Sequence, residues 1–444
     1  MANKRRRSKG REIAFVQIWL CVFLPAYLLL AGSKGLSSVS PFKTALLYGM
    51  TGALTLCVLC ELLRELRKKR RAGEKPGFSA PPRPASAAAL VFLAFTLISA
   101  LLSPYGSKVW YDPALHEGAA TVCCYILIFL AVSRWAKPTK TVLLCFSAAL
   151  AIFCLICVLQ LAGGNPLGLY PEGHVFRDEL VHRSFIGTMG NVDLVSSFLC
   201  LAVPMLAIYA AKRRGAGRYS AAALAVLCFA LMLLIRVLCG PVGLLAGGWV
   251  CLLLLPDWKP QTRRFLLLGT AALAFLAVAA LWVWDPSATL LHELHELLHG
   301  RVSDKFGTGR FYIWRQMLER LPRQLWFGTG PDSVRLTGLE PFRRHDEAGN
   351  YTAVAAITDA HCLPLQILYC QGVFALLSWL ALMGIELRQW IRSRKELAVA
   401  VLGGGIVCFL IAMLFCFSSV ILMPFFWVAL GLLEAACRNK KTSP

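Results

Sequence analysis

Runs of about twenty apolar residues, the length a helix needs to cross roughly 30 Å of hydrocarbon, recur along the chain with little sequence between them. They fall at 13–32, 44–63, 86–103, 118–134, 141–161, 191–211, 219–236, 240–256, 265–284, 362–384, 397–416 and 419–436. A chain of 444 residues that is 57% hydrophobic and only 16% charged lacks the polar surface to clothe two or three soluble domains. The expected fold class is an all-α polytopic membrane protein with about twelve transmembrane helices, since a helix satisfies its own backbone in lipid. The seventh and eighth runs are parted only by "RVLCG"; one broken helix is a competing description, but together they are too long for a single crossing. The first run is read as a span and not as a cleavable signal peptide, because no A-x-A site follows and the chain re-enters the membrane at once.

The spans divide the chain into 1–284, with nine helices and a cytoplasmic N-terminus, 285–361, a large and partly helical extracytoplasmic loop, and 362–444, with three helices and a cytoplasmic C-terminus. A net charge of +22 invites a nucleic-acid reading. Placing both termini in the cytoplasm puts most of the 46 Lys and Arg there, in stretches such as "KRRRSKGR" and "ELRKKRRAGEK", and leaves the other side near neutral. That asymmetry is the positive-inside signal of a cytoplasmic (inner) membrane protein, and nucleic acid is not an expected partner. Nearly all of the 17 cysteines lie inside spans, where cysteine acts as a small hydrophobe, so redox chemistry is not expected.

The 285–361 loop holds the sequences that could carry chemistry. "HELHELLH" contains His295-Glu296-Leu297-Leu298-His299, the spacing that sets two zinc ligands on one helix face beside a glutamate base. A membrane zinc metalloprotease built on His295, Glu296 and His299 also needs a third protein ligand, and Asp304, Glu319 and Asp332 stand in no motif that supplies one. An interfacial helix with its polar side in water explains the same residues, so the match is read as accidental and no metal site is assigned. Further on, "GTGRFYIWRQMLERLP" repeats apolar residues at helical spacing, with Thr308 as the expected N-cap and Pro322 as the stop.

Cations gather on the same side. Arg236 closes the seventh span, where a charge at the edge of a bundle is costly and usually has a functional partner. Arg310 opens the 309–321 helix, and a guanidinium beside free helix N–H groups suits a phosphate. Arg301 and Arg315 add positive potential nearby. His361, where the loop enters the tenth span, is a residue type that takes and gives protons near neutrality, with Asp359 two residues before it.

In order, these pieces resemble the bacterial O-antigen ligase and polymerase family. "HRSFIGTMGNVDLVSSFL" is similar to the family's G-T-x-G-N segment, "LIRVLCGPVGLLAGG" to its S-R-G stretch, "GRFYIWRQML…LWFGTGPDS" to its R-x-x-x-W helix followed by G-x-G, and "AHCLPLQILYCQGVFALL" to its H-N-x-x-L-Q entrance. The likeness runs from about 180 to 385, with 74 residues from Arg236 to Arg310 and 51 from there to His361. It departs in two places. Cys239 stands directly before the glycine where the family has arginine, and Cys362 replaces the asparagine after the histidine.

The resemblance implies a metal-independent glycosyltransferase without cofactor. It moves a glycan from an undecaprenyl-pyrophosphate carrier to a hydroxyl of a sugar or lipid-anchored glycan, at the outer face of the membrane and in contact with membrane lipid. By that resemblance Arg236 and Arg310 hold the pyrophosphate and His361 activates the acceptor. Arg183 and Asn191, with Arg301 and Arg315, would then line the substrate site. A transporter for lipid-linked sugars is the other alternative, but the spans are largely apolar and show no internal repeat.

Overall fold

Every predicted apolar run overlaps a helix in the computed structural model, which describes residues 2–32, 35–73, 83–111, 115–170, 185–286, 289–345 and 351–440. The helices are α1 (Ala2–Leu29), α2 (Val39–Arg71), α3 (Pro84–Leu102), α4 (Ala119–Trp135), α5 (Lys140–Leu161), α6 (Val192–Lys212) and α7 (Ala216–Leu234). They continue with α8 (Cys239–Leu254), α9 (Pro260–Val283), α10 (Thr289–Leu298), α11 (Phe306–Arg320), α12 (Leu363–Ser393), α13 (Leu397–Ala412) and α14 (Met423–Lys440). Among the described residues, seven helices are long and apolar enough to cross a membrane: α2, α3, α5, α6, α7, α9 and α12. Shorter apolar helices accompany them at Phe15–Leu29, Ala119–Trp135, Cys239–Leu254 and Leu397–Ala412. The chain is a multi-pass helical membrane protein.

Boundaries follow local chemistry. Asn191 caps α6, accepting from the N–H groups of Asp193 at 2.7 Å and Leu194 at 3.3 Å. Proline opens α3, α9 and α12, where its missing N–H costs nothing. The seventh and eighth runs are two helices, separated by 235–238. The last span starts later than expected, because 413–422 forms an irregular connection.

Helix α6 is the axis of the bundle, flanked by α7, α8 and α13. The α8–α13 contact depends on small residues: a Cβ added at Gly243 would lie 2.7 Å from Cys408 O, and one at Gly247 would lie 2.5 Å from Cys408 Cα. Such close backbone approach is what substitutes for hydrophobic drive between helices in lipid. Around α14, Trp427 stacks near Phe92 and Tyr125 and meets Phe129 edge-on.

Two features position the 285–361 segment. Helix α12 is broken at Gly372 (φ 84°), and the loop after α11 inserts across the break. Gly330 N donates to Cys370 O at 2.7 Å and Val373 N to Leu325 O at 2.8 Å, so the backbone groups freed by the break are satisfied by protein. Ser99 on α3 also donates to Cys370 O. The segment further contains a short antiparallel pair not expected from sequence, β1 (Phe342–His345) with β2 (Tyr351–Ala355), registered Phe342 to Ala355. By contrast α9 has no buried residue and packs chiefly against α10.

Candidate functional site

Among the described residues, five other than glycine have a left-handed backbone: His116 (φ 58°), Arg236 (57°), Thr308 (59°), Asp332 (55°) and His361 (47°). All stand at the end of the bundle that carries 285–361. Each such conformation costs on the order of 1–3 kcal/mol and persists only where surrounding structure enforces it, which is typical of functional sites. Three of the five are Arg236, His361 and the neighbour of Arg310.

Arg310 is held by its own loop. Gly307, Thr308 and Gly309 are left-handed in succession (φ 60°, 59° and 91°), so regular right-handed helix starts only at Arg310. Thr308 is therefore no N-cap; its hydroxyl donates to Gly307 O at 2.6 Å and accepts from Arg310 Nη1 at 3.1 Å. Nη1 also donates to Gly307 O at 2.8 Å, and Nη2 donates to Phe415 O at 3.1 Å, in the α13–α14 connection. Of the five guanidinium N–H groups, these contacts leave the Nε edge, and Nε is buried without a partner among the described residues. A buried donor left in this way is costly, and it suits an oxyanion that arrives with the substrate.

The R-x-x-x-W spacing has a physical reason. Trp314, one turn after Arg310, donates its indole N–H to Ala360 O at 2.7 Å, and so ties the arginine helix to the residue before His361. Ala360 N in turn donates to Gln366 of α12 at 2.9 Å. Asp359 turns the histidine: its Oδ1 accepts from His361 N at 2.6 Å and lies 3.5 Å from Nδ1. The ring of His361 packs edge-on against Phe417, at 5.5 Å between centroids, and its side chain is 31% exposed while Asp359 is buried. The imidazole is thus oriented on one nitrogen and reachable at the other.

Sequence reasoning missed a carboxylate that feels these groups. Asp193, in the first turn of α6, lies within electrostatic reach of His361, Arg310 and Asp359. Its backbone oxygen accepts from the thiols of both Cys239 and Cys416 at 3.9 Å. An acid two residues beyond a helix-capping Asn, at the mouth of an apolar run, was the available signal.

Arg310 and His361 are thus brought together around Asp193, while the other expected residues behave differently. Arg236 is exposed in the α7–α8 connection, and its side chain has no hydrogen bond or ion pair among the described residues; its link to the site is through Cys239, three residues on. Cys239, where the family has arginine, is buried. The side-chain oxygen of Asn191 is occupied in capping α6. Arg315 pairs with Asp304 at 2.5 Å and Arg301 with Glu296 at 3.4 Å, all partly solvent-exposed pairs of modest strength. Arg183 lies outside the described residues.

The zinc-like stretch is occupied with backbone contacts. His295 Nδ1 is 2.6 Å from Leu281 O, His299 Nδ1 is 2.9 Å from His295 O, and His299 stacks on Trp282 at 4.5 Å. Among the described residues no group of three or more His, Cys, Asp or Glu is placed to hold a metal ion.

A cavity of about 40 Å³ beside the start of α12 is lined by Glu117, Tyr125, Asp332, Gln366, Gln371 and Ser418 together with apolar residues. That is room for ordered water among polar partners. Burial pushes the Glu117 carboxyl up to about 8, although hydrogen bonds from Tyr125 and Ser418 pull the other way. The folded chain therefore holds a proton that the unfolded chain releases above the ordinary value of 4.5. The stability this gives is complete below that value and is lost as pH rises to about 8, by up to roughly 5 kcal/mol at about 1.4 kcal/mol per pH unit. Thermal unfolding of purified protein between pH 5 and 8 should fall with pH, and Glu117→Gln should flatten that slope. An equal slope in the variant would remove Glu117 as its source.

Residues 223–380 match the family model described as O-Antigen ligase. The match runs from within α7 to within α12 and contains Arg236, Arg310 and His361. No curated protein sequence matches the chain.

Proposed function

On the premise that residues 223–380 are an O-antigen ligase family domain, we propose that the protein transfers a glycan from a polyprenyl-pyrophosphate carrier to an acceptor hydroxyl, in building a cell-surface polysaccharide. The carrier is undecaprenyl-pyrophosphate, and the acceptor is a sugar or a lipid-anchored glycan. The chain crosses the cytoplasmic membrane twelve times with both termini inside, as its basic connections favour, and 285–361 caps the outer mouth.

The observation that carries this reading is the meeting of Arg310, with its unpartnered Nε, and His361, with its oriented ring, around Asp193. The chemistry is a substitution at the anomeric carbon. The acceptor oxygen forms a bond to that carbon as the carbon–oxygen bond to the pyrophosphate breaks, and the electron pair leaves on the pyrophosphate oxygen. Arg310 stabilises the charge that develops there, with Arg236 as the second cation once its exposed side chain folds over the anion. The acceptor proton goes to the free nitrogen of His361, and Asp359 and Asp193 stabilise the resulting imidazolium. These groups supply the charge that a metal ion supplies in other transferases, so EDTA should leave transfer unchanged.

The test is transfer in vitro from a defined lipid-pyrophosphate glycan. His361→Ala should fold and lose about 10²–10⁴-fold in rate, the range for removing a general base. Transfer at the wild-type rate would exclude His361 from the chemistry.

A further inference from the structure

The stretch that imitates a zinc motif has a different use. Helix α10 lies between a helix that stands apart from the bundle and the loop that carries Arg310. On one side it is fixed to α9 by His295 on Leu281 O and by His299 stacked on Trp282. On the other, Glu293 Oε2 accepts from Gly307 N at 3.0 Å. The oxygen of the same residue, Gly307 O, takes the Arg310 Nη1 hydrogen bond at 2.8 Å. Gly307 is thus held from both ends, its N–H by Glu293 and its carbonyl by the guanidinium, in a run of three left-handed residues that makes one helical hydrogen bond, Gly309 N to Lys305 O at 3.2 Å.

We propose that Glu293 is a positioning residue for Arg310: through the Gly307 amide it fixes the loop against which the guanidinium docks, so that the Nε edge faces the diphosphate. This rests on the reading of Arg310 as the anion-binding group. The role needs a hydrogen-bond acceptor and not a charge. A glutamine at 293 keeps an acceptor oxygen and an alanine does not, which separates this role from a general electrostatic one. It also accounts for a conspicuous polar helix at the membrane surface without any metal ligation by its histidines.

The experiment uses the full-length protein in lipid nanodiscs. Glu293→Ala should lower kcat/KM for the lipid-pyrophosphate donor by about 10²-fold, as small misplacements of catalytic groups do, with the KM for acceptor unchanged, while Glu293→Gln stays within about three-fold of wild type. Combined with Arg310→Ala, Glu293→Ala should cost nothing further, because residues acting as one unit are not additive. Amide exchange over 305–309 should accelerate in Glu293→Ala and stay slow in Glu293→Gln. The proposal is overturned if Glu293→Ala leaves donor kinetics and exchange unchanged, or if its effect multiplies with that of Arg310→Ala. Should Arg310→Ala itself transfer normally, the anion-binding reading fails instead, and the exchange measurement alone judges the strap: unchanged exchange overturns it and faster exchange supports it.

Discussion

Arg310→Ala should lose glycan transfer by about 10³-fold, roughly 4 kcal/mol, the scale seen when a preorganised donor to a developing oxyanion is removed. Three features make this residue a large contributor. Its guanidinium is already docked on Gly307 O, Thr308 Oγ1 and Phe415 O, so little reorganisation is needed when substrate arrives. Its Nε is buried without a partner among the described residues. Its helix is pinned through Trp314 to the residue before His361, so donor and acceptor sides share one rigid connection. Arg310→Lys should rescue little, because an ammonium cannot serve three backbone and hydroxyl oxygens and still present a fork to the diphosphate. The measurement is single-turnover transfer with saturating acceptor, and near-wild-type turnover by Arg310→Lys would show that charge alone suffices there.

Gly372→Ala should prevent stable folding. At φ 84° an alanine is strained, and its Cβ would lie 2.2 Å from Trp326 O, 2.4 Å from Trp326 C and 2.5 Å from Phe327 N. All three neighbours are backbone, so no side chain can swing aside. The "FGTG" loop must leave the break in α12, stranding the Gly330–Cys370 and Val373–Leu325 hydrogen bonds. Strain, clash and lost bonds together put the cost beyond about 4 kcal/mol, the range of the most damaging single substitutions. Gly384, on the same helix with no atom within 4 Å of an added Cβ, is the internal control. Gly384→Ala should be neutral or slightly stabilising, since alanine favours helix. Monodisperse yield and unfolding temperature in detergent report both; a Gly372→Ala protein as stable as wild type would mean that α12 is not broken there.

Much of this architecture was legible in the residues, because hydropathy reads what must leave water. The runs and the helix after Arg310 both came from local pattern. What was illegible depends on partners far along the chain. The break in α12 looks like uninterrupted apolar sequence, and only the insertion of 325–330 makes Gly372 a hinge in the helix. Asp193 did not stand out as a site residue, because nothing local brings His361 to it from 168 residues away. Glu117 did not stand out either; it is buried beside Asp332, 215 residues on, whose Oδ2 accepts the Glu117 N–H at 2.9 Å. The histidines of α10 invited a metal because spacing ignores the carbonyls that neighbouring elements bring to their ring nitrogens.

The most direct measurement is a structure of the protein with a non-transferable polyprenyl-diphosphate bound. The expected arrangement has diphosphate oxygens at hydrogen-bond distance, about 3 Å, from the Nε edge of Arg310, with the ring of His361 on the far side of the sugar carbon. A diphosphate lodged at the His295–His299 helix, or at the opposite end of the bundle, would contradict it.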